Sequence, residues 1–143
     1  MKKTAFGFTL LAALILSAGC SVANASSSAA TDVCVARQAE VALSWGSVRS
    51  VAGGFAVTAR ELADWQETRD AARGIQLRSK WRAMPIELPV TVCYYDGNFN
   101  NFPGRAKRPP YDRIAVIVGA DGKLTLDAAG PHDNLKVERP TRK

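Results

Sequence analysis

The sequence predicts an α+β domain: a small antiparallel sheet of three to five strands, connected as a meander and packed by two amino-terminal helices. Three observations predict it. Residues 88–128 hold the densest β-branched and aromatic run after the first apolar segment, reading LPVTVCYYDG, then a Pro/Gly-rich connection, then YDRIAVIVGADG and KLTLDA. Ahead of that run lie stretches with helical caps and helical spacing. Two cysteines, Cys34 and Cys93, fall one in each half.

The sheet can be argued to its register. Ile114, Val116 and Val118 alternate with Ala115 and Ile117, so one face of this strand is strongly apolar and the other partly so. After Ala120-Asp121-Gly122, Leu124 and Leu126 resume with period two. A two-residue loop at Asp121-Gly122 puts Val118 opposite Thr125 and mixes the faces. A three-residue loop puts Val118 opposite Leu124 and Val116 opposite Leu126, and the apolar sides agree. Gly122 suits the positive-φ position of such a loop. A strand over residues 90–95 is expected on the other side of the Ile114 strand, which becomes central. Leu135 and Val137, between Pro131 and Pro140, are expected as a short edge strand.

The amino terminus carries a different message. Lys2 and Lys3 precede an apolar segment, residues 6–16, that is too short for the roughly 20 residues a membrane-spanning helix needs. Leu16-Ser17-Ala18-Gly19-Cys20 follows, and small residues before a cysteine at this place resemble the bacterial prolipoprotein processing site. The resemblance covers only the first 20 residues or so. It implies a signal peptide over residues 1–20, acylation of Cys20 and a membrane anchor outside the cytoplasm. A competing reading is cleavage after Ala25, in Ala23-Asn24-Ala25, which gives a secreted protein. Residues 21–31, rich in Ser and Ala, read as a flexible spacer, residues 32–140 as one domain, and residues 141–143 as a disordered tail.

Export makes sense of the cysteines. Of three, Cys20 is acylated or removed, leaving Cys34 and Cys93 as an even pair in an oxidising compartment. A disulfide is expected; two separate buried thiols are the alternative. With Lys2 and Lys3 gone, 17 of the 19 Lys and Arg face 13 Asp and Glu, a net charge of +4. A solvated surface accounts for that excess, and nucleic acid is not expected as a partner.

From Asp32, VCVARQAEVALSW is read as one helix capped by Asp32, with Cys34, Val41 and Trp45 on one face and Gly46 beyond the end. Gly53-Gly54 marks either a hairpin turn or a bulge in one strand. Thr58-Ala59-Arg60-Glu61 is a capping box that opens a second helix. Leu62, Trp65, Arg69 and Ala72 form its stripe and Gly74 its stop, with Trp65 expected to pack on the sheet. Asp64, Glu67 and Asp70 read as its solvated face. Over residues 75–89, Arg78, Lys80 and Arg82 alternate with Leu77, Ser79 and Trp81, as a short basic edge strand would.

Little in the chain points to catalysis. The one histidine, His132, has Asp133 beside it but no evident nucleophile, and no Gly-x-Ser-x-Gly elbow is present. No spacing suits zinc, calcium or a bound phosphate, so neither metal nor cofactor is expected. His132 reads as a turn residue facing solvent. The stronger candidate is the connection over residues 96–110, DGNFNNFPGRAKRPP, far longer than a hairpin needs. Phe99 and Phe102 alternate with Asn and Gly, and Arg105, Lys107 and Arg108 follow, braced by prolines. Aromatic side chains beside basic ones suit an anionic or mixed polar–apolar partner, either an envelope component or an acidic protein patch. The plainer alternative is that the two phenylalanines fold back over one end of the sheet.

The reading is therefore a non-enzymatic, lipid-anchored envelope protein that binds through this loop. A protease-inhibitor-like or toxin-neutralising module is the second reading, and a hydrolase using His132 the third.

Overall fold

The computed structural model describes residues 27–104 and 109–141. Cys20, the processing site and the basic residues Arg105, Lys107 and Arg108 lie outside them. Three α-helices and a four-stranded antiparallel sheet of order β1-β2-β3-β4 make up the fold, so the α+β meander holds. Two helices, α1 (Ser28–Ala36) and α2 (Gln38–Trp45), precede β1 (Gly46–Thr58). A third, α3 (Ala59–Ala72), links β1 to β2 (Pro89–Phe99), with a 3-10 turn (Lys80–Ala83) on the way. β3 (Tyr111–Val118) and β4 (Leu124–Gly130) complete the sheet.

The expected single helix over residues 32–45 is two helices, and it starts earlier. The Ser27 side chain accepts a hydrogen bond from the Ala30 N–H at 3.2 Å, so Ser27 is the cap and Asp32 is not. Residues 28–31, assigned above to a spacer, belong to α1. The break at Arg37 has a local cause. The Cys34 carbonyl accepts the Tyr95 hydroxyl at 2.8 Å, and the Arg37 N–H closes on the same carbonyl with a tight i−3 bond.

Alternation along the strands builds two cores. Val92, Tyr94, Ala115 and Ile117 face α3 and the 3-10 turn, packing with Leu62, Ala63 and Trp81. Cys93, Tyr95, Ile114 and Val116 face the other way, toward Cys34 and Val41 of α1 and α2. The central strand is continuously apolar because both its faces are covered. Cys34 and Cys93 form the expected disulfide, with Cα atoms 5.5 Å apart and a sequence separation of 59.

Gly53-Gly54 is not a turn. It lies within β1, whose pairing with β2 shifts between Val51 and Gly53. The absent side chains admit neighbours on both faces: a Cβ on Gly54 would meet the Cys34 Sγ at 2.7 Å and the Ala30 carbonyl at 2.8 Å, and one on Gly53 would meet Val137 at 2.6 Å. The β3–β4 register is the expected one, Val118 opposite Leu124 and Val116 opposite Leu126. Gly119 donates to Lys123 and closes a three-residue loop, with Gly122 at φ +79°.

Other expectations change. Leu135 and Val137 form no strand; they pack as coil against the α3-side core, and the Glu138 carbonyl accepts the Tyr94 hydroxyl at 3.0 Å. Residues 75–88 hold no strand either, and Pro89 opens β2. The Thr58/Glu61 capping box forms as expected, but Asp64 and Glu67 are paired within the fold and do not make a free solvated face. Arg82 reaches back from the 3-10 turn to both, at 2.5 and 2.6 Å, and the Ser79 N–H donates to Glu67. The Arg82 hydrogen bond holds the Glu67 carboxyl below the usual carboxylate range. Asp70 stands 3.5 Å from Arg69.

Candidate functional site

Two of the expected binding residues can be placed, and they part company. Phe99 is the last residue of β2 and fully buried in the α1/α2-side core. Strand pairing runs farther than the 90–95 segment read from sequence, and Phe99 sits opposite Gly46, so it cannot offer its ring to a partner. Phe102 is half-buried. Its ring meets Tyr111 edge-on at 5.5 Å, and Pro103 and Gly104 beside it are exposed. Asn101 fixes this turn to the end of α2, donating from its side chain to the Ser44 carbonyl and from its backbone to the Trp45 carbonyl. Those are two of the carbonyls that a helix end leaves unpaired.

Phe102 opens onto a groove. A concavity of about 460 Å³ lies between Phe102, Tyr111 and the stretch of β4 from Leu126 to Ala129. A second, of about 310 Å³, shares Tyr111, Asp127, Ala128 and Ala129 with it and adds Arg69 of α3 and Arg73 at its end. A third, also about 310 Å³, shares Arg69 and Arg73 and adds Trp65 and Arg139. The three form one path from the β2–β3 connection, past β4, to α3 and the carboxy-terminal segment.

Local sequence explains its centre. Trp65 and Arg69 lie one turn apart on one side of α3, and Arg73, which caps its carboxy-terminal end, follows four residues later. Opposite them, two residues of β4 face one of β3 between Ala115 and Val116, and the extra residue is Asp127. This bulge turns a carboxylate toward α3, where it accepts Arg69 at 2.8 Å and Gln66 at 2.5 Å. The Asp127 side chain is only 2% exposed and that of Arg69 22%, so the carboxylate is buried under a partly open guanidinium. Burial works against the Arg69 charge, yet the Asp127 hydrogen bond and the Asp127 and Asp70 charges outweigh it and raise its pKa. The Arg69 guanidinium also stacks 4.6 Å from the centre of the Trp65 ring. Arg69 is thus internally neutralised. Arg73 is exposed and has no ion-pair partner among the described residues, so it supplies the open positive charge of the groove.

No family model, curated protein or solved structure matches this chain.

His132 sits outside the groove. Its Nδ1 lies 2.9 Å from Asp112 and its Nε2 3.1 Å from Asp133, while its backbone N–H donates to Asp112 at 2.6 Å. The Asp112 hydrogen bond and the Asp133 charge raise its pKa, and His132 in turn lowers that of Asp112. An imidazole with a carboxylate at each nitrogen is stabilised as a cation and presents neither nitrogen to a hydroxyl nucleophile. Next to it, Arg113 forks onto Asp96 at 2.6 and 3.0 Å and donates to the Leu135 carbonyl, clamping the carboxy-terminal segment. Among the described residues no group of three or more His, Cys, Asp or Glu could hold a metal ion.

The Trp65–Arg69 stripe could be read from sequence, and a single acid in the otherwise apolar LTLDAAG was a signal for Asp127. Asp112 carried none, because it joins His132 only through the turn back from β4.

Proposed function

We propose that this is an exported protein, held at the cell envelope by an acylated Cys20, that works as a non-enzymatic binding module for an anionic envelope component. The binding half of this reading is carried by the continuous groove from Phe102 to Trp65, aromatic at both ends and with Arg73 as its open cation. The location is supported by the Cys34–Cys93 disulfide, which persists in oxidising compartments. Arg105, Lys107 and Arg108 follow Phe102 closely in sequence and would add to the same positive field.

The test uses the domain from Ser27 onward, without the anchor, so that lipidation cannot mask direct binding. Cosedimentation is measured with phosphatidylglycerol vesicles, with phosphatidylcholine vesicles and with purified cell walls. Expected is salt-sensitive binding to the anionic vesicles or the walls, weakened about tenfold by Phe102→Ala or Arg73→Glu. Unchanged binding in both variants would remove the groove from the reading.

A second reading has one observation in its favour. The exposed Pro103-Gly104 turn is braced on α2 through Asn101, as a loop that enters another protein's cleft must be. That makes a protease-inhibitor-like or toxin-neutralising module the alternative. It predicts inhibition of a trypsin-like protease, and cleavage between residues 105 and 108 without inhibition counts against it. A hydrolase using His132 has the least support, since carboxylates occupy both sides of its ring.

A further inference from the structure

Among the described residues the exposed large apolar side chains fall into two groups. Val33, Val35 and Leu43 lie on α1 and α2. Ile75, Leu77, Met84 and Ile86, exposed by 43, 67, 45 and 53%, all belong to the segment between α3 and β2. Single apolar residues on a surface are ordinary, but a cluster of this kind in one short segment calls for a partner. Hydrogen bonds show how the segment lies. The Ile75 N–H donates to the Asp70 carbonyl, the Ser79 N–H to Glu67, and Arg82 pairs with Asp64. Farther on, the Ile86 and Leu88 carbonyls accept the Arg60 and Ala59 N–H groups. The partners step steadily back along α3, so the segment is a strap antiparallel to the helix, about 15 Å long at the 1.5 Å rise of its residues. Its bonds point inward, and the four apolar side chains are what it leaves outside.

Charge separates the two groups. Arg60, Arg78 and Lys80 are exposed along the strap and make no ion pair among the described residues. Arg82 takes up Asp64 and Glu67, and Glu87 is the one exposed acid between α3 and β2. On α1 and α2 the balance is reversed: Arg37 is paired with Glu40, and Asp32 stands exposed. We infer that the strap docks on an anionic phospholipid bilayer, with Ile75, Leu77, Met84 and Ile86 entering the boundary beneath the headgroups and Arg60, Arg78 and Lys80 meeting lipid phosphates. Apolar side chains gain by leaving water only where the partner has apolar depth, which an anionic wall polymer lacks. Long basic side chains keep their stems in that boundary and their heads among the phosphates. A row of separate side chains of this length suits a planar partner more than a small ligand. The strap shares no residue with the proposed groove, and its docking does not require an acylated Cys20.

The test uses the folded, oxidised chain after Cys20, free of lipid, with phosphatidylcholine bilayers that contain or lack phosphatidylglycerol. Affinity is read by cosedimentation with vesicles. Contact is read by nuclear magnetic resonance in small bicelles that carry a nitroxide-labelled lipid. Expected is salt-sensitive binding that needs phosphatidylglycerol, with the amides of residues 75–78 and 84–87 broadened by the label. Leu77→Glu and Ile86→Glu, both at exposed positions, should each weaken binding by about tenfold or more, the loss of one buried aliphatic side chain. Arg78→Gln and Lys80→Gln should each weaken it about fivefold. No binding to the anionic vesicles, or binding undiminished in both glutamate variants, overturns the inference. Phe102→Ala distinguishes strap from groove. A loss there with none in Leu77→Glu puts the lipid contact in the groove and overturns the strap alone; the reverse keeps the strap and takes the bilayer away from the groove. Binding to polyglutamate as tight as to the bilayer, with no broadening by the label, assigns the strap to an acidic protein and likewise overturns it.

Discussion

The two faces of this sheet are fastened by different chemistry. On one, α1 and α2 are held by the Cys34–Cys93 disulfide, by the buried Tyr95–Cys34 hydrogen bond and by the close approach that Gly54 permits. On the other, α3 and the 3-10 turn are held by side-chain ion pairs, Arg69–Asp127, Arg82–Asp64 and Arg82–Glu67, and the carboxy-terminal segment by hydrogen bonds from Tyr94 and Arg113 to its carbonyls. The three cavities described above avoid residues 27–58 altogether. A glycine-close interface packs α1 tightly on β1, whereas long side chains that reach across a gap leave concavities between them. The cavities run along the ion-paired face and round the β4 edge, where residues packed on the disulfide-side core, Phe102, Tyr111, Leu126 and Ala129, line one of them.

The largest effect expected from breaking this contrast is loss of the disulfide. Closing a loop between residues 59 apart is worth about 4 kcal/mol in the chain-entropy account, a large share of a small domain's total. Urea unfolding of the paired Cys34→Ser, Cys93→Ser variant should show that loss, and a loss below about 1 kcal/mol would place the stability elsewhere. On the opposite face, Arg69→Met strands the buried Asp127 carboxylate with only Gln66, and should cost about 2–3 kcal/mol. Adding Asp127→Asn to it should restore much of that, because a neutral pair leaves no buried charge. A sharper comparison comes from consecutive tyrosines that send their hydroxyls to opposite sides. Tyr95→Phe removes a fully buried bond and should cost about 1–1.5 kcal/mol, and Tyr94→Phe, bonded to the outlying Glu138 carbonyl, less than about 1.

The smallest effect is electrostatic. The His132 pKa is raised above 6.5 in the folded chain, so its contribution to stability is fully present below the unfolded value and is lost as pH rises through the folded one. Asp112 is shifted down, so its share is lost only as pH falls through its lowered folded value. The stability difference between the parent and His132→Gln should therefore be greatest at about pH 5–6 and fade on the alkaline side. A difference flat across that range would contradict the ion pairs.

How much of this was legible depended on whether the signal was local. The β3–β4 register followed from face matching and one glycine, and the capping box from four residues. The disulfide followed from counting thiols. Segments that take their shape from distant partners misled. Residues 77–82 alternate as a strand would, but Arg82 and Ser79 are spent on α3, twelve to eighteen residues back. Gly53-Gly54 left a turn and a bulge equally open, and what decides for the bulge, admitting Cys34 on one face and Val137 on the other, involves chain far away in sequence. Phe99 looked like part of an open loop because nothing nearby told that Gly46 would pair with it. The groove was half legible: Phe102 was visible, but its continuation across Asp127 to Arg73 required the bulge.

The most direct test of the whole account is the intact mass of the native protein, extracted from the membranes of the cells that make it and measured before and after reduction. The account predicts a chain that begins at an acylated Cys20 and is two hydrogens lighter before reduction than after. A chain that begins at Ser26, or one whose mass is unchanged by reduction and whose two thiols alkylate without it, would contradict it.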